Sequence, residues 1–218
     1  MIRSWLQSPW AITILSVFFV LAGFIRIFPF DADPNWQLDI VTTASAVIRA
    51  AFGFFILPFL TVRYVFRESP RQFGWRFPES FRDAFKWGAI LFVGVVPFLF
   101  LLSNNSSFRD YYPIAQSFWW AWIVGPFFWL VFYLAEEFLF RGFLVFGLFR
   151  RIGYHSVWLS SAIFAFFHIT KPLPEMWLSF VLGIGLALLA LKTKSFLPAA
   201  GVHFAALVVS NLLMAVRV

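Results

Sequence analysis

The chain has 218 residues, 61% of them hydrophobic, with 33 Phe, 11 Trp and a mean hydropathy of +0.83. That apolar share excludes an ordinary soluble domain and indicates an integral membrane protein. The absence of Cys excludes a disulfide framework and thiolate chemistry, and the formal charge of +7 sits in basic residues beside apolar runs, a signal of topology and anionic-lipid contact rather than of nucleic-acid binding.

A spanning helix needs roughly 20 apolar residues. Cutting the chain where charge, Pro and Gly interrupt such runs predicts an all-α polytopic transmembrane helix bundle of about seven spans, roughly six to eight, forming one integral membrane domain over 1–218. The spans fall near 9–28, 40–62, 87–103, 115–137 continuing as an apolar helix to about 149, 155–170, 176–191 and 196–216. The first, "AITILSVFFVLAGF" behind a basic "MIRSW", reads as an uncleaved anchor because no A-x-A-like site follows it. Segment 63–86 carries Arg63, Arg67, Arg71, Arg76, Arg82 and Lys86, whereas 31–39 carries Asp31, Asp33 and Asp39. The basic segment is therefore expected in the cytoplasm together with the N-terminus, and the acidic one outside. Gly125 and Pro126 leave open a break in 115–149 that would add an eighth span. Short loops and the lack of an organelle signal point to a plasma (inner) membrane.

Ionisable residues at mid-membrane cost about 2.5 to 3.5 kcal/mol each and usually face a bundle interior or a wet cavity. Glu136, Glu137, Arg141, His168 and His203 lie deep in the second half of the chain, while Arg26 and Arg49 lie nearer span ends, where they can snorkel. Glu137 and Arg141 stand four residues apart on one helix face, in the favoured order for an ion pair. Glu136 is turned about 100° from Glu137. It is left to seek another partner and is the natural base for a water, with Glu137 and Arg141 as its frame. The competing reading is a buried ion-pair cluster that only fixes helix packing. His168 follows Phe164 by one turn, so an aromatic ring lines the wall beside the imidazole. His203 follows the small residues of "LPAAG", which let neighbouring helices approach. Counted at about 1.5 Å per residue, Glu136 and His168 fall near mid-membrane and His203 nearer the cytoplasm, so all three could converge on one polar intramembrane cavity.

The text around these residues resembles the CPBP family of intramembrane proteases, which includes type II CAAX prenyl endopeptidases and bacterial proteins linked to bacteriocin processing or self-immunity. "EEFLFR" (Glu136, Glu137, Arg141) matches its EExxxR motif and "FAFFH" (Phe164 to His168) its FxxxH motif, followed in order by "FVLGIGLALL" and "LPAAGVHF". The resemblance covers residues 115–212 as a catalytic core, with 1–114 supplying further spans and the basic loop. It implies glutamic-type proteolysis inside the bilayer, with Glu136 and His168 activating a water, Glu137 and Arg141 holding the helix, and His203 donating to the oxyanion. The implied substrate is a membrane-associated peptide or protein, prenylated and CAAX-like or a leader peptide. The family's third motif has Asn or Asp four residues after the His, where this chain has Leu207. The nearest amide, Asn211, lies about 12 Å further along an ideal helix, and Tyr133, one turn before Glu137, is an alternative auxiliary donor.

Other readings remain open on the residues. A non-proteolytic scaffold or immunity protein would keep the fold and bury the same charges, a reading that Leu207 favours. A metal-dependent hydrolase would use Glu136, His168 and His203 as ligands, but HExxH is absent and no Glu-x-x-His surrounds the acidic pair, so no metal and no cofactor is expected. A proton-coupled transporter lacks paired Gly/Pro-broken half-helices.

Overall fold

Hydrocarbon offers no partners to backbone N–H and C=O groups, so a chain this apolar closes its hydrogen bonds within helices. The structure, a computed structural model, describes residues 7–24, 40–112 and 122–216, and among them are eight helices and no strand. Helix α1 is Pro9–Phe24; α2 runs over 40–65 as Ile40–Ala50, a π-type Ala51–Ile56, Leu57–Leu60 and a second π-type Thr61–Val65. Pro58 lies within this run and cannot donate, and the widened turns on either side accommodate the missing bond. Helix α3 is Phe81–Ser103, α4 is Ser106–Tyr111, and α5 runs over 125–152 as Gly125–Glu137, a π-type Phe138–Phe146 and Gly147–Ile152. The last three are α6 His155–Phe167, α7 Leu173–Thr193 and α8 Leu197–Ala215.

Helices occupy the described parts of the predicted spans, with shifted ends. Helix α3 starts at Phe81 instead of 87 because Ser80 caps it, its hydroxyl accepting from the Asp83 amide at 3.2 Å. Arg82 and Lys86 therefore ride on its first turns and are not loop residues. The fourth predicted span continues to Ile152 and is interrupted at its other end by a turn at Val124, just before Gly125 and Pro126. The acidic 31–39 segment, Arg26 and most of 115–122 fall outside the described residues.

Thr43–Val65, Phe81–Ser103, Leu173–Thr193 and Leu197–Ala215 are long and apolar enough to cross a membrane, and the chain is an integral membrane protein. The expected seven is not reached by this measure. Helices α1 and α6, at 16 and 13 residues, span about 24 and 20 Å against a hydrocarbon core of about 30 Å, and α5 holds three charged residues in its middle. In α3 the best spanning stretch has only 22% of its residues buried, with Ile90, Val93, Phe98 and Leu101 turned outward, which suits lipid and not water.

The interior divides by chemistry. Phe19, Phe54, Phe138, Phe140, Phe143 and Phe164 join α1, α2, α5 and α6 into an aromatic half, whereas Val95, Leu99, Leu182, Leu186 and Val202 join α3, α7 and α8 into an aliphatic half. Helix α6 lies along α7, and α8 packs on both α3 and α5, which ties the halves together. One contact limits the spacing of the aromatic half: a methyl group on Gly53 would sit 2.4 Å from the Gly23 nitrogen and 2.8 Å from the Phe19 carbonyl, so α1 and α2 cross backbone on backbone.

The basic segment between α2 and α3 is packed down on the bundle. Phe66 and Phe73 are fully buried and stack on Phe143 with ring centroids 5.9 and 6.1 Å away. The Ser195 hydroxyl donates to the Arg76 carbonyl, the Phe196 amide donates to the Gly74 carbonyl at 3.4 Å, and Glu79 pairs with Arg76 and, at 2.9 Å, with Lys194. This segment thus clips the turn between α7 and α8, which fixes where α8 enters the bundle.

Candidate functional site

Between the two halves lies a cavity of about 410 Å³ that reaches Glu136, His168 and His203. Helix α5 presents Trp129, Phe132, Tyr133 and Glu136 to it, a three-and-four spacing that defines one helix face. Glu137 is one residue further round and lies behind that wall, fully buried. Its Oε1 accepts from Arg141 Nη1 at 3.0 Å, so the i, i+4 pair expected from spacing is formed. Arg141, also fully buried, reaches the Gly183 carbonyl on α7 with Nη2 at 3.5 Å and covers the Phe164 ring with its guanidinium carbon 4.3 Å from the centroid.

The sequence reading left Glu137 satisfied by Arg141 alone, but the structure adds a second partner. His203 Nδ1 lies 2.8 Å from Glu137 Oε1 and 3.5 Å from Glu136 Oε2. A carboxylate accepts, so Nδ1 carries a proton and Nε2 is the nitrogen left for other work. Glu136 Oε2 is buried and makes no hydrogen bond among the described residues. Such an atom is costly unless something in the cavity hydrogen-bonds to it.

His168 ends α6, and its Nδ1 lies 2.8 Å from the Phe164 carbonyl one turn back. The carbonyl accepts, so Nδ1 donates and the Nε2 lone pair is free. His168 is on the cavity wall but is not part of the tight Glu136, Glu137 and His203 cluster. Phe164 connects the groups: its ring centroid is 4.6 Å from that of His168 and 5.7 Å from that of His203, besides its contact with Arg141.

The remaining expectations fall as follows. Tyr133 packs its ring on His203 with centroids 4.2 Å apart. Leu207 and Asn211 both line the cavity, one and two turns beyond His203. Arg49, in the first half of α2, lines the cavity and donates to Ser45 Oγ at 3.2 Å. Sequence reasoning missed a second polar group on the wall, in which Tyr112 and Lys171 donate to Glu175 Oε1 at 2.7 and 2.9 Å. The i, i+4 spacing of Lys171 and Glu175 was its available signal.

As to a metal, Glu136, Glu137 and His203 offer one ligand atom each, all within 4.8 Å of one another. That set differs from Glu136, His168 and His203, the ligands considered from sequence. Glu137 Oε1 and the Nδ1–H of His203 already satisfy each other, and an ion bound at that nitrogen would have to displace the bond.

The family model for the Rce1-like type II CAAX prenyl endopeptidases matches residues 116–209. No curated protein and no solved structure matches the chain. The matched stretch contains α5 with its acidic pair, α6 with Phe164 and the capping His168, and the part of α8 that carries His203, elements that meet at the cavity. Over residues 116–209 the chain is thus similar to the Rce1-like type II CAAX prenyl endopeptidases, which supports the CPBP resemblance carried by the EExxxR and FxxxH motifs.

Proposed function

We propose that the protein is an intramembrane endopeptidase that hydrolyses a peptide bond of a membrane-associated substrate by a water activated at Glu136 and His168. The observation that carries this reading is the buried Glu136, whose Oε2 has no hydrogen-bond partner among the described residues, on the wall of a cavity that also holds both imidazoles. A water there donates one proton toward Glu136 and the other toward His168 Nε2. As its oxygen bonds to the scissile carbonyl carbon, Glu136 takes the first proton, and the carbonyl becomes an oxyanion facing His203. Glu136 then delivers that proton to the departing amide nitrogen as the C–N bond breaks, so the carboxylate is regenerated. Glu137 and Arg141 touch none of the reacting atoms: the pair holds the π-type turn of α5 and, through Glu137, the orientation of His203.

Trp129, Phe132 and Phe167 give the cavity the apolar surface that a lipidated or membrane-inserted peptide would need. We place the protein in a plasma membrane with the N-terminus and the 63–86 segment cytoplasmic, and count α1, α5 and α6 with the four long helices as seven spans. A second reading, a non-proteolytic scaffold or immunity protein, draws on Leu207, which puts an apolar side chain one turn beyond His203.

The test is cleavage, in detergent or liposomes, of a quenched-fluorescence peptide library that includes prenylated CAAX-like members, by the wild type and by Glu136→Gln, with and without chelator. The expected result is chelator-insensitive cleavage that Glu136→Gln abolishes without changing the melting temperature. A folded wild type that cleaves nothing would transfer the argument to the scaffold reading, and loss of cleavage in chelator would transfer it to the Glu136, Glu137 and His203 metal set.

A further inference from the structure

We infer that the Tyr133 hydroxyl is the donor that stabilises the oxyanion in this protein, in the place where Leu207 leaves the wall of α8 without one. The inference rests on the protease reading above and names a further residue for its chemistry.

Three observations carry it. First, His203 alone is an incomplete donor. Its Nδ1–H is committed to Glu137 Oε1 at 2.8 Å, so a neutral His203 presents a lone pair, not a proton, at Nε2. His203 can donate from Nε2 only while it carries both protons. A phenol donates whichever state His203 is in.

Second, several other polar groups of the cavity are engaged or distant. Tyr112 and Lys171 are held on Glu175. On α8, Leu207 is the residue one turn beyond His203 and has nothing to donate, while Ser210 and Asn211 lie about 10 and 12 Å further along the axis than His203. An oxyanion is held by donors within about 3 Å of it, so neither can share one with His203.

Third, Tyr133 is placed for the task. It lies three residues before Glu136 on the same cavity-facing side of α5, and its ring packs against that of His203 with centroids 4.2 Å apart and planes tilted by 44°. Its hydroxyl takes part in none of the side-chain hydrogen bonds among the described residues, although tyrosines in an apolar interior ordinarily find a partner. The base and the donor thus come from one face of α5, and His203 packs beside the donor from α8. Tyr133 keeps its proton throughout: it donates a hydrogen bond as charge develops on the carbonyl oxygen and returns to an unbonded state when the intermediate collapses.

The experiment uses the full chain in detergent and the quenched-fluorescence peptide that the wild type cleaves. Tyr133→Phe removes one oxygen atom and no hydrogen bond among the described residues, so the melting temperature should stay at the wild-type value. Losing one oxyanion donor costs on the order of 10²- to 10³-fold in kcat, with KM nearly unchanged. Adding Leu207→Asn to Tyr133→Phe supplies an amide one turn from His203 and should restore part of that loss. A Tyr133→Phe protein with wild-type kcat overturns the inference, as does a fall in kcat that follows a fall in melting temperature and is not relieved by Leu207→Asn, since the hydroxyl would then be structural. If the wild type cleaves and Glu136→Gln does not, a null result at Tyr133 sinks this assignment alone. A wild type that cleaves no peptide sinks the protease reading and this inference with it.

Discussion

Arg141 is the largest fully buried side chain among the described residues, and replacing it by Met tests whether the charged frame behind the cavity behaves as a coupled unit. Met keeps most of the volume but removes the 3.0 Å bond to Glu137, the long contact with the Gly183 carbonyl and the cation over the Phe164 ring at 4.3 Å. Glu137 would remain fully buried, with His203 as its other partner and with no hydrogen bond at Oε2 among the described residues. Removing one member of a buried ion pair costs about 3 to 5 kcal/mol because the other charge is stranded. For a chain of this size each kcal/mol corresponds to roughly 2 to 4 °C, so Arg141→Met should melt about 6 to 20 °C below the wild type. The 11 Trp make intrinsic fluorescence in detergent a suitable probe, and the absence of Cys removes thiol-reactive dyes from consideration. The double variant Glu137→Gln, Arg141→Met strands no charge and should recover at least half of the loss. A single variant within about 3 °C of the wild type, or a double variant no better than the single, would refute the argument that the pair is held by mutual charge compensation.

Gly53→Ala should destabilise the aromatic half by about 1 to 3 kcal/mol, because the new methyl meets the backbone of Gly23 and Phe19 and not a side chain that can move; a thermal melt at wild-type temperature would contradict the close crossing of α1 and α2. On the clip that holds 66–80 to the α7–α8 turn, hydrogen bonds from Lys194 and then from Arg76 keep Glu79 below the usual carboxylate range. A lowered folded value means that the stabilisation is present above the unfolded value and is lost as pH falls through the folded one. Amide exchange in this segment, corrected for intrinsic rate, should therefore increase below the ordinary carboxylate range, and Glu79→Gln should remove that dependence. An unchanged pH profile in Glu79→Gln would assign the effect to another group.

Much of the fold and part of the site could be read from the residues alone. Composition determined a helical membrane protein, because an apolar chain in hydrocarbon has few ways to satisfy its backbone. Spacing determined the Glu137–Arg141 pair, since four residues on a helix bring side chains together whatever surrounds them. It also separated Glu136 from that pair, and the cavity lies on the Glu136 side. The order of the EExxxR and FxxxH motifs carried the family, which the match over 116–209 supports.

What spacing along one helix cannot give is which helix faces which. The 2.8 Å contact between His203 and Glu137 joins residues 66 positions apart and depends on α8 packing against α5. The Phe164 ring gathers Arg141, His168 and His203 only because α6 and α8 meet α5 at the same depth. Arg49 looked like a snorkelling residue in the linear text, and the path of α2 past the cavity turns it inward. Helix ends moved for local reasons that apolar counting ignores, such as the Ser80 cap that starts α3 at Phe81. The sequence alone therefore determined the class of protein, the approximate positions of most described helices and the candidate residues for chemistry, all of which follow from short-range geometry and solvent. Tertiary packing decided which of those residues share a cavity, because that depends on how separate helices fit against one another.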